Sequence, residues 1–61
     1  MCHLSEKELS AINELLSEEE LLVKKFQMFS QQTNAPEMKR EFEAIANKHQ
    51  GHFNMLFNQL G

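Results

Sequence analysis

A single cysteine, a single proline and two glycines, one of them the last residue, are all that this sequence holds of staples and chain breakers. Cys2 has no second thiol to pair with, so no disulfide can close within the chain. A lone thiol points to a reducing compartment, and its place at the N-terminus makes fraying the default. No apolar run exceeds three residues, which excludes a transmembrane helix and the apolar core of a signal peptide and sets a cytoplasmic location as the expectation. Basic residues are outnumbered six to nine, for a net charge of −3 and a pI of about 5.5. Nucleic-acid phosphates call for a basic surface, so this balance argues against such a partner. Valine and threonine occur once each, which leaves little of the composition that strands favour.

What remains is rich in Glu, Leu, Lys and Gln and is 41% hydrophobic, too apolar for a disordered chain and all-α in character. Its 61 residues make one domain, 1–61. A chain this short rarely buries enough apolar surface to stand alone and is usually supported by disulfides, a metal or a partner chain. With disulfides excluded, association or a metal is left.

Ser5-Glu6-Lys7-Glu8 has the S-x-x-E form of a capping box and opens the first helix. Apolar residues follow at 9, 12, 15, 16, 22, 23, 26 and 29, the spacing of a broad helical stripe. Thr33-Asn34-Ala35-Pro36-Glu37 is the one clear break, with Asn34 as the expected N-cap, Pro36 in the first turn and Glu37 completing a second box-like pattern. The second helix carries Met38, Phe42, Ile45, Ala46, Phe53, Leu56, Phe57 and Leu60, and its stripe resumes in phase after Gly51, so it is expected to run through that glycine. The expected fold is therefore an antiparallel helical hairpin with helices at about 5–32 and 35–59, each about 40 Å long. A two-helix hairpin leaves half of each stripe in water, so two copies are expected to pack as a homodimeric four-helix bundle. The residues expected in its core and interface are Leu9, Ile12, Leu15, Leu16, Leu22, Val23, Phe26, Phe29, Phe42, Ile45, Phe53, Leu56 and Leu60.

One feature of the first helix does not fit a simple amphipathic pattern. Three glutamates, Glu18 to Glu20, interrupt it between Leu15-Leu16 and Leu21-Leu22. At about 100° per residue the first stripe centres at about 100°, and Glu19 falls there while Glu18 and Glu20 fall at its margins. In the second helix the stripe centres at about 220°, where His49 lies, with His52 one turn on at its edge and Glu43 pointing away. Glu19 precedes Asn34 by fifteen residues and His49 follows it by fifteen, so a tight turn sets the two in one layer, halfway along the first helix.

A carboxylate in an apolar core costs several kcal/mol unless it is paired, protonated or metal-bound. Two readings of the layer stand. In one, Glu19 pairs with His49 and fixes register and dimer geometry. In the other, the layer is a metal site at the dimer centre, each chain supplying Glu19, His49 and His52, so that two glutamates and four histidines meet; nitrogen-rich ligands of this kind suit Zn²⁺ or iron. A different register would leave one or both groups in water. The remaining features read plainly. Cys2-His3 could contribute to a metal site but is expected to be no more than a frayed terminus, the five phenylalanines are expected in the core or interface, and Lys24-Lys25 and Lys39-Arg40 on solvated faces near the turn. There is no nucleophile–base pair and no glycine-rich phosphate loop, so the chain is not expected to be an enzyme unless a metal does the chemistry.

The run "LSEKELSAINELLSEEELLVKKFQMFSQQTNAPEMKREFEAIANKHQGHFNMLFNQL", nearly the whole chain, resembles small spore coat proteins of endospore-forming Firmicutes related to the spore coat F family. The parts that carry the resemblance best are "LLSEEELLVKKFQMFSQQ" and "FEAIANKHQGHFNMLFNQL". It implies a structural role, a location in the coat of the developing spore, other coat proteins as partners beside a second copy of this chain, and half of a ferritin-like bundle. The sequence departs from the ferritin pattern at Ala46, where a glutamate would begin Glu-x-x-His ending at His49, and at His49 if the motif ends at His52. The expected function is thus a small self-associating structural protein working through helix-face contacts. The alternatives are a metal-binding half-bundle and an RNA-binding hairpin dimer, the latter against the acidic charge.

Overall fold

The computed structural model describes residues 3–61, and the reading of Cys2 lies outside them. Two helices, α1 (Glu6–Gln32) and α2 (Pro36–Asn58), fold back on each other as an antiparallel hairpin 46 Å long, 16 Å wide and 10 Å thick. No described residue lies in a strand.

The start of α1 is fixed locally. The Ser5 hydroxyl accepts from the Glu8 N–H at 3.1 Å while the Glu8 carboxylate accepts from the Ser5 N–H at 2.9 Å, the reciprocal pair of a capping box. The Ser5 N–H, and after it the Ser5 hydroxyl, hold the Glu8 carboxyl below the usual carboxylate range.

The turn corrects one expectation. The N-cap of α2 is Ala35, with no side-chain cap, and not Asn34. Proline crowds the residue before it out of the α region, so Ala35 is held extended at φ −92° and ψ 115° and Pro36 becomes the first helical residue. An Asn34 cap would have required Ala35 to be helical. The Thr33 hydroxyl takes up the free Ala35 N–H instead, at 3.2 Å. At the other side of the turn, α1 has no basic residue in its last turn. Lys39 of α2 supplies the charge: its Nζ donates to the Ser30 carbonyl at 2.9 Å, which ties the helices together and favours the negative end of α1. Lys39 is therefore engaged with the neighbouring helix and is not simply a solvated charge.

Among the described residues only Val23 and Ala46 are buried apolar side chains, and Ser30 is the one buried polar residue. Small residues at Ser30 and Ala46 leave room for the helices to approach. Phe26, Phe29 and Phe42 pack toward the turn end with ring centroids 5.5–6.1 Å apart. Ile12, Leu16, Leu22, Ile45, Phe53 and Leu56 are half-buried. Leu9, Leu15 and Leu60, expected in the core or interface, are exposed in the single hairpin.

The second helix runs unbroken through Gly51, which is exposed and has open space where a Cβ would stand. Alanine there keeps the helix and lowers the entropy of the unfolded chain, a gain of about 0.5–1 kcal/mol. Gly51→Ala should therefore raise the melting temperature by about 2–8 °C, read by circular dichroism. An unchanged or lower midpoint would mean that this turn of α2 is not formed as described.

Candidate functional site

The hairpin has two unlike faces. One groove between the helices is lined by Glu20, Lys24, Gln27, Gln50, Val23 and Phe53, where it is mixed in character, and its continuation toward the turn, lined by Gln31, Lys39, Glu43 and Asn47, is largely polar. The opposite groove, of about 380 Å³, is lined by Leu15, Leu56, Met55 and Gln59 together with Glu19 and His52. By helical position Leu22, Phe29, Met38 and Ile45 extend this second face toward the turn.

Glu18 and Glu20 are exposed, and Glu20 pairs with Lys24 at 3.8 Å on the surface. Glu19 turns inward, its side chain 17% exposed. The structure brings it against His49, whose Nδ1 stands 2.6 Å from Oε1, and His52, whose Nδ1 stands 3.4 Å from Oε2. A carboxylate has only lone pairs to offer, so at 2.6 Å the His49 Nδ1 carries a proton and donates it. His49 and His52 lie one turn apart on α2, with their ring centroids 5.5 Å apart and edge to face. Both rings present the same nitrogen to the one carboxylate. The side chain of His49 is 23% exposed and that of His52 51%, so the cluster is closed toward the core and open toward the groove.

Phe26 completes the site, and sequence reasoning placed it only in the core. Its ring lies nearly parallel to the His49 imidazole, centroids 6.0 Å apart and planes 12° apart, which fixes the ring plane and keeps water from its inner side. The signal was present: Phe26 follows Glu19 by seven residues, two helical turns along the same stripe. Glu19, His49 and His52 are the described residues whose donor atoms could hold a metal ion together, all within 4.8 Å of one another. His3 is exposed.

No protein-family model, curated protein or solved structure matches this chain. Its function has to be argued from the two faces and the Glu/His cluster. No helix among the described residues is long and apolar enough to cross a membrane.

Proposed function

We propose that this chain is a structural protein that works by self-association, two hairpins packing through their apolar faces into a four-helix bundle. The observation that carries the reading is the contrast between the faces. On one side Leu15 and Met55, 44% and 67% exposed, line a mainly apolar groove with Leu56, and Met38, 44% exposed, lies further toward the turn; on the other side Gln, Glu, Lys and Asn surround Val23 and Phe53. A second copy is the occupant that fits best. A core with two buried apolar residues among the described ones is small for a folded chain of this length, and the face that would enlarge it is the same on both copies. Pairing the faces would also enclose the Glu/His clusters, and a buried polar layer of this kind sets register. The resemblance to small spore coat proteins makes assembly in the coat of the developing spore, with other coat proteins, the setting for this reading; no catalytic role is proposed.

Sedimentation equilibrium tests it. Two chains of 7.1 kDa should give a species of about 14 kDa. Leu15→Gln with Met38→Gln should dissociate it, while Leu21→Gln, on the far side of α1 and 66% exposed, should leave it intact. A stably folded monomer of the parent chain would sink the proposal.

A further inference from the structure

We infer that Glu19, His49 and His52 form a binding site for one divalent transition-metal ion of the Zn²⁺ type. Two imidazoles and one carboxylate are a ligand set that such ions accept, with the fourth position left to water or another ligand. The distances lie within side-chain adjustment of that geometry. Zn–N and Zn–O bonds of about 2.0–2.1 Å set neighbouring tetrahedral ligands about 3.3 Å apart. His52 Nδ1 stands 3.4 Å from Glu19 Oε2, the 2.6 Å contact from His49 to Oε1 has to open by about 0.7 Å, and the three donors, all within 4.8 Å of one another, have to draw in to that spacing.

Hydrogen bonding alone leaves the position of His52 unexplained. Its side chain is half exposed, yet it turns Nδ1 to the same carboxylate at an ion-pair distance too long for a tight hydrogen bond. An ion between the three donors accounts for that convergence. Around it, Phe26 holds the His49 plane and Leu15 and Leu56 make an apolar wall, while the exposed side of His52 gives the entry path. Protons compete with the ion for these donors, so affinity falls as pH falls.

All three ligands belong to one chain, so the site goes beyond self-association and does not require it. In a dimer formed through the apolar face, the open position would look toward the second copy.

The test uses untagged full-length protein stripped with chelator and titrated with Zn²⁺ by calorimetry and with Co²⁺ by absorption, sedimentation being run on the same samples. The expected result is one ion per chain, visible Co²⁺ bands of low-coordinate type and a raised melting temperature with Zn²⁺. Glu19→Gln, His49→Ala and His52→Ala should each weaken binding about 100-fold or more while circular dichroism confirms helix, and Cys2→Ser should not. No saturable binding, or binding that survives His49→Ala and vanishes in Cys2→Ser, overturns the proposal. A metal-free dimer would sink this inference alone, and a metal-binding monomer would sink only the self-association.

Discussion

Phe26→Ala should lower the melting temperature by about 15 °C or more and leave much of the chain unfolded at 37 °C. Phe26 touches Phe29 and Phe42 and lies flat against His49, so one ring joins the aromatic cluster near the turn to the polar layer. Truncating a large core ring costs about 3–5 kcal/mol, and the lower figure applies because Phe26 is half-buried. A chain of 61 residues has about 3–9 kcal/mol of stability in all. The loss is therefore a large share of the total. Phe57→Ala is the control: this ring is 57% exposed and stacks on Phe53 one turn away, so its loss should cost about 1 kcal/mol or less. Equal effects from the two substitutions, followed by thermal and urea unfolding, would mean that the hairpin is not held together at its aromatic end.

The second large effect is one of coupling. In chelator, His49→Leu should cost about 2–3 kcal/mol, because Glu19 keeps only the longer contact to His52 and its carboxylate is mostly out of water. Glu19→Leu alone should cost about 1–2 kcal/mol, since the His49 Nδ1–H then has no acceptor. Made together, the two leucines should be close to neutral or stabilising, because desolvating the pair is itself unfavourable and apolar packing replaces it. The cycle would thus show about 3 kcal/mol or more of coupling, far beyond what independent sites give. Additive losses in urea titrations would mean that the 2.6 Å contact is absent in solution. If the double variant is stable but sediments as mixed species, the polar layer acts in specificity rather than stability.

Much of this was legible in the chain because it depends on counting. Ser5 and Glu8 are three residues apart, so the capping box is a local matter and formed as expected. Glu19 and His49 were placed at one height by equal distances from the turn and on facing sides by the helical period, and the structure sets them in contact. The failure at Asn34 is also local. Its preference for capping competes with the proline constraint on Ala35, and the steric term wins because it is a clash and not a preference. Less legible were the residues whose role depends on how closely the helices approach. Ser30 lies on the same axis as Ile12 and Glu19, at about 120° on the wheel, but its hydroxyl disguises it as a surface residue. Lys39 was read by its charge, and its reach to the Ser30 carbonyl follows only once the turn geometry is known.

The Lys39–Ser30 contact has a further consequence, in time rather than in space. It joins residues nine apart in the chain, Phe26 and Phe42 come next, and Glu19 and His49 are thirty apart. Closing the thirty-residue loop from an open chain costs about 1 kcal/mol more entropy than closing the nine-residue one. Each rung, once made, shortens the loop for the next, so the hairpin should zip from Pro36 outward and fold quickly for its length. Substitutions beside the turn then slow folding, and those at the Glu19 level mainly hasten unfolding. The rung that carries the chemistry is among the later ones to close and the earlier ones to open.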